Sequence, residues 1–163
     1  MCFAAAAFSR TCRLLFVFSV CATLDAFSQS LEVDIAALTR GASDVVVGTI
    51  TDVTSRMGTN VDGDHLIFSD LAVDVSDTLK GELRGSITIT VEGGDVGGLV
   101  LSVSDMPTLR RGDRALFFLN KNARGEWALY GHGGGVMKID AAGRLGNGPH
   151  TLDSARTQIR SAR

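Results

Sequence analysis

The chain has 163 residues, with 16 basic and 18 acidic side chains, a net charge of −2 and three cysteines, Cys2, Cys12 and Cys21. Neither sign of charge is gathered into a block, which argues against a nucleic-acid partner, whose phosphates call for a basic patch, and against a polybasic membrane-surface segment. Only eight phenylalanines, one tryptophan and one tyrosine are present, so a platform that stacks bases or sugars is not expected.

The first residues read as an address. Arg10 and Arg13 form a positive region, residues 14–24 are almost wholly apolar, and Ala26-Phe27-Ser28 puts small residues where signal peptidase needs them. Eleven apolar residues fall short of the roughly 20 that a membrane-spanning helix requires. Residues 1–28 are therefore expected to be a signal peptide cut before Gln29, and the protein to be secreted or periplasmic. The alternative is a lipoprotein anchored through Cys21, although Val20 occupies a position where a small residue is expected. Cleavage would take all three cysteines with it. The remaining 135 residues, with 14 basic and 17 acidic side chains, suit one domain stabilised by its core rather than by disulfides. No later apolar run approaches spanning length, so no transmembrane segment is expected in the mature chain.

Ser30 is a candidate N-cap, followed by Leu31, Ile35 and Leu38 at helical spacing, with Gly41 placed as a left-handed stop. A short amphipathic helix over residues 31–39 follows. From Asp44 the chain turns β-branched, with Val45, Val47, Ile50 and Val53 apolar and Gly48 marking a bulge. Asp62-Gly63 predicts a tight reversal. Next, Ile67, Leu71, Val73 and Val75 alternate with Asp70, Asp74 and Ser76. Residues 80–85 turn the chain, and Ile87, Ile89 and Val91 alternate with Thr88 and Thr90. The segment GGDVGG reads as a loop, and Leu99, Leu101 and Val103 as another alternating strand. Pro107 and RRGD prepare a turn before ALFFL, an apolar run suited to burial on both faces. A turn at NKNARGE leads into WALYG, a glycine cluster into VMKID as the last strand, and residues 140–149 into a loop. Thr151 could cap a C-terminal helix with Leu152, Ala155 and Ile159 on its apolar face.

About seven strands and glycine turns predict a mainly β fold: a small antiparallel, OB-like barrel, or a sandwich, over residues 29–150. A short N-terminal helix precedes it, and residues 151–163 form a tail of candidate helix.

The order of SDVVVGTITDV, LAVDVSDTLKG, ITITVEGG and RRGDRALFFL over residues 31–139 is similar to that of a group of exported bacterial β domains. More distantly it resembles the netrin-like modules and tissue inhibitors of metalloproteinases, which have an OB-type barrel. The resemblance implies a fold. The inhibitors reach the protease zinc through an N-terminal cysteine, and here that place falls to Gln29, so the mechanism does not carry over.

Several motifs invite a chemical reading. Arg111-Gly112-Asp113 spells an adhesion tripeptide but suits an ordinary turn. Asn60-Val61-Asp62-Gly63-Asp64 is similar to a calcium loop, yet the first and twelfth ligand positions would fall on Gly58 and Ser69. The glycines of GGDVGG and GHGGGV precede strands, so a hairpin or bulge fits better than a phosphate cradle. His65, His132 and His150 lack any paired ligand spacing, so zinc would need all three to converge. No GxSxG is present, and cleavage would leave no thiol. Trp127 and Tyr130, three apart in one predicted strand, should face opposite ways, one into the core and one toward a binding surface. No catalytic or metal residue and no cofactor is assigned. The expected function is a non-enzymatic binding or accessory module whose partner is another exported protein, a protease being one candidate. The alternatives are a metal-dependent hydrolase assembled from scattered residues such as His65 and His132, and a lipid-anchored structural component of the envelope.

Overall fold

The computed structural model describes residues 34–163 apart from Val61 and Asn147. The leader, the cleavage site before Gln29, Cys21 and the proposed cap at Ser30 lie outside the described residues. The elements in chain order are α1 (Ile35–Gly41), β1 (Asp44–Thr59), β2 (His65–Lys80), β3 (Gly85–Glu92), β4 (Gly94–Val96), β5 (Leu99–Leu101), β6 (Arg114–Lys121), β7 (Trp127–Leu129), a 3-10 turn (His132–Gly135), β8 (Val136–Lys138) and α2 (Leu152–Ala162). No described helix is long and apolar enough to cross a membrane.

The main sheet runs β1-β2-β3-β7-β6-β8, and β1 also pairs with β6, so the hydrogen-bonded circuit returns to its start. This favours a single sheet closing on itself over two stacked sheets. The pairings are antiparallel with one exception: β3 and β7 meet in parallel, through Ile89↔Trp127 and Thr90↔Ala128 alone. Two strands are longer than the turn spacing suggested, since β1 and β2 each run 16 residues. β1 reaches that length by bending. Its register against β2 shifts at Val45/Val46, at Val47/Gly48 and between Ile50 and Asp52. Gly48 is required at its bulge because a Cβ there would collide with Val73. Around Thr51 the inward parity changes, from Val46 and Ile50 to Val53, which packs against the same core.

Two cores result. Val46, Ile50, Leu71, Val73, Ile89 and Phe117 are among those that fill the inside of the closed sheet. Val45, Val47, Leu116 and Phe118 point the other way and are covered by Ile35 of α1 and by Leu152, Ala155 and Ile159 of α2. The ALFFL run is thus buried on both faces, as its lack of polar residues requires. α2 begins at Thr151, whose hydroxyl accepts from the Ser154 amide while the Ser154 hydroxyl accepts from the Thr151 amide.

Several expectations need correction. The described part of the first helix begins at Ile35 with Asp34 as its cap, whose carboxylate accepts from the Ala37 amide. Gly41 is the last helical residue and not a left-handed stop; the cap is Ala42, with φ −75°. At Gly41 the end of the Tyr130 ring lies where a Cβ would sit, so a larger residue there would displace that ring. GGDVGG is not a plain loop, for Gly94–Val96 pairs with Leu99–Leu101 in a separate two-stranded hairpin. The expected strand through Val103 stops at Leu101 and does not join the main sheet, leaving Leu99 61% and Val100 65% exposed. Finally, Tyr130 lies beyond β7: Gly131, at φ 80°, turns the chain into the 3-10 segment, so Trp127 and Tyr130 do not share a strand. Trp127 packs on the inner core, and Tyr130 covers Gly41.

Candidate functional site

The parallel junction of β3 and β7 is the thinnest part of the ring. β7 has three residues between turns at Gly125 and Gly131, so it can offer β3 only two paired positions. A cleft opens on each side of this seam. The one toward the hairpin tips has a volume of ≈ 400 Å³ and is walled by Asn60, Phe68, Glu92, Arg124, Leu129 and His132 among others. It lies between the β1–β2 tip, the β6–β7 tip and the ends of β2 and β3.

The two tips share one design. Asn60 accepts from the Asp62 and Asp64 amides at 3.0 and 2.8 Å, and Asn122 from the Arg124 and Glu126 amides at 2.9 and 3.0 Å. Each asparagine also donates its side-chain amide to the acid four residues on, Asp64 or Glu126. A glycine with positive φ stands three residues after the asparagine, Gly63 at 91° and Gly125 at 79°. Asp140, Ala142, Gly143 and Arg144 build a third turn in the same way. This accounts for the NVDGD motif: the Asn60 oxygen that a calcium ion would need is occupied by two backbone amides. Arg124 then reaches from one tip to the other and donates to the Thr59 carbonyl.

Beneath the tips, a polar ladder crosses the seam. Arg56 Nε donates to Asp70 at 2.7 Å, and Thr90 Oγ1 donates to the other Asp70 oxygen at 2.8 Å. Glu126 stands 3.7 Å from the same guanidinium, whose Cζ also lies 5.8 Å from the Phe68 ring centre. The Arg56 hydrogen bond, aided by Thr90 and opposed by partial burial, holds the Asp70 carboxyl below its ordinary 3.8. A carboxylate so stabilised is a poor general base near neutrality and a good clamp. The ladder links β1, β2, β3 and the start of β7 where backbone pairing is sparse.

The histidines stand on separate elements. His65 opens β2, with Nδ1 3.4 Å from Thr59 Oγ1; His132 lies in the 3-10 turn with φ 53°; His150 precedes α2. Of the three, only His132 lines the cleft. Among the described residues no three His, Cys, Asp or Glu side chains gather so as to hold a metal ion. Arg111-Gly112-Asp113 is a turn that extends the β1–β6 ladder: Gly112 donates to the Ile50 carbonyl, and Ile50 donates back to Asp113. The Asp113 carboxylate accepts from the Arg110 amide and pairs with Lys138 at 2.8 Å. The GHGGGV glycines serve packing in the 3-10 turn, where a Cβ at Gly133 would strike the Asp105 backbone. GGDVGG carries the β4–β5 turn at Gly97 and Gly98.

Reading by residue type missed Arg56, Asp70, Asn122, Arg124 and Glu126. A signal was present in the repeated spacing of Asn, Gly three later and an acid four later, at 60–64 and 122–126. No protein-family model matches the chain, and no curated protein does.

Proposed function

We propose that the protein is an exported, non-enzymatic binding or accessory module that engages another exported protein through the hairpin tips at the seam. The observation that carries this reading is the cleft itself. Its volume of ≈ 400 Å³ suits a few inserted side chains, and its walls combine the apolar Phe68, Leu129 and Met106 with the polar rim of Asn60, Arg124 and Glu126. Each rim group is held by a neighbour, Asn60 by Asp64, Arg124 by the Thr59 carbonyl and Glu126 by Asn122, and a surface so preorganised lowers the ordering cost of association.

The test uses a photo-crosslinking residue at Ala123, exposed on the β6–β7 tip, and a control at Asp153 on α2. Recovery of one exported protein from the native host at position 123 only, lost on Arg124→Glu, supports the proposal. Identical adducts at both positions, or none, would overturn it. The same preparation reports on export. Mass spectrometry should find a mature form beginning at Gln29, whereas a lipid on Cys21 selects the anchored envelope component. Stoichiometric zinc lost in His132→Ala would replace the module reading with that of a metal-dependent hydrolase.

A further inference from the structure

We propose that the free edge of β3 at residues 85–88 takes up an extended peptide segment of a partner protein, which adds to the sheet as one more strand. This edge lies across the seam from the tip cleft and does not depend on the role given to the tips.

The two edges of β3 are unequally covered. Toward β2 it is paired along its whole length, from Gly85 to Glu92. Toward β7 it is paired at Ile89 and Thr90 alone, because the turn at Gly125 brings β7 in only at Trp127. The register tells which backbone groups this leaves over. One step beyond the β2–β3 pairs, the Gly93 amide donates to the Ile67 carbonyl at 2.8 Å. Backbone direction alternates along a strand, so the odd-numbered residues of β3 bond to β2 and the even-numbered ones point away from it. Of these, Thr90 meets β7. The amides of Ser86 and Thr88 and the Ser86 carbonyl point to a side where their part of β3 pairs with no described strand.

That side is open. A cleft of ≈ 400 Å³ runs between Ser86, Ile87 and Thr88 on β3 and Gly125, Glu126 and Trp127 at the start of β7. Successive strand residues send their side chains to opposite faces, so a hollow on one face would touch only every second residue. This cleft touches three in a row and therefore follows the edge itself. Ser86 and Thr88 are exposed and Ile87 is half-buried. The usual safeguards of an edge, a lysine, a proline or an inward charge, are missing from the Gly-Ser-Ile-Thr that opens β3.

The surroundings choose the guest. Two amides and a carbonyl in line along a strand match the backbone of another strand. Guest side chains facing inward meet Ile87 and Trp127, which both pack on the inner core. Those facing outward meet Thr88, Thr90 and the Arg56–Asp70 pair, whose charges hold each other at 2.7 Å and call for no charged guest. An uncharged segment that alternates apolar with hydroxyl side chains fits both faces. A cleft of this volume, closed on its far side by residues 125–127, admits one strand and not the sheet of a second copy.

The experiment is fluorescence anisotropy of the purified protein with a labelled peptide of alternating valine and threonine, three of each. Two further peptides carry N-methyl groups on all the valine amides or on all the threonine amides, which strips the donors from one edge of the guest at a time. Saturable binding is expected, with one methylated peptide weakened by about tenfold or more and the other within about twofold of the parent. Ser86→Pro removes an amide that the ladder to β2 does not use, at an exposed position where an edge strand tolerates proline. It should weaken the parent peptide by about tenfold while circular dichroism stays unchanged. Equal loss in the two methylated peptides, full affinity in a folded Ser86→Pro protein, or no saturable binding up to about 1 mM peptide would each overturn the proposal. A dimer that Ser86→Pro dissociates would also overturn it, by giving the edge to a second copy. The pair of methylated peptides decides the matter even if Ser86→Pro does not fold.

Discussion

Replacing Ile159 by alanine tests whether the C-terminal helix belongs to the same cooperative unit as the closed sheet. Ile159 is fully buried in the core between α2 and the outward-facing Val45, Val47, Leu116 and Phe118. The substitution deletes three methyl or methylene groups, worth about 0.8 kcal/mol each in lost burial, so about 2.4 kcal/mol. The cavity left behind raises this to about 3–4 kcal/mol, because the rigid sheet beneath cannot collapse fully into the gap. With a urea slope of about 2 kcal/mol/M, the midpoint should fall by about 1.5–2 M. The chain's one tryptophan makes the assay decisive. Trp127 packs on the inner core, away from α2, and the two cores share β1 and β6 as their common wall. Loss of packing under α2 should therefore shift the Trp127 fluorescence transition together with the far-ultraviolet dichroism. Thr157→Ala, on the exposed face of the same helix, should leave both nearly in place. A fluorescence midpoint that stays put while the helical signal melts early would refute the reasoning and make α2 an independent appendage.

Gly41→Ala should cost about 1–3 kcal/mol, since its methyl meets the Tyr130 ring, and adding Tyr130→Ala should recover much of the loss; additive costs in thermal melts would count against the contact. Asp70→Asn should flatten the acid limb of stability. A carboxyl whose folded pKa is depressed contributes stability that is fully present above its unfolded value and lost as pH falls through the folded one. Urea midpoints of the two proteins should thus diverge above about pH 4 and converge below it, and parallel pH profiles would exclude the Arg56 clamp. Asn122→Ala removes the acceptor of two backbone amides and should destabilise by about 1–2 kcal/mol. Asn60→Ala should behave alike, and an unchanged melting temperature in both would rule out the shared turn design.

Much of the fold was legible because it is locally encoded. Thr151 with Leu152, Ala155 and Ile159 describes α2 residue for residue, since capping and a helical stripe involve neighbours three or four apart. Gly48 marked a true bulge, and ALFFL announced a strand with two buried faces. The errors fall where a distant contact outweighs the local pattern. Gly41 looks like a helix stop, yet its lack of a side chain answers to Tyr130, 89 positions away. Leu99, Leu101 and Val103 alternate like a strand of the sheet, but Leu99–Leu101 pairs with Gly94–Val96 and with no strand of the main sheet.

By itself the sequence determined the β class, most of the strands and turns, and the apolar face of α2. These follow from period and chirality, which act on a few consecutive residues. Only the tertiary structure decided how the ring closes, with β7 parallel to β3 through two residue pairs, and where the clefts beside that seam lie. Closure is a contact between residues almost 40 apart, and a cavity is a failure of packing among several such segments. Neither leaves a periodic trace along the chain.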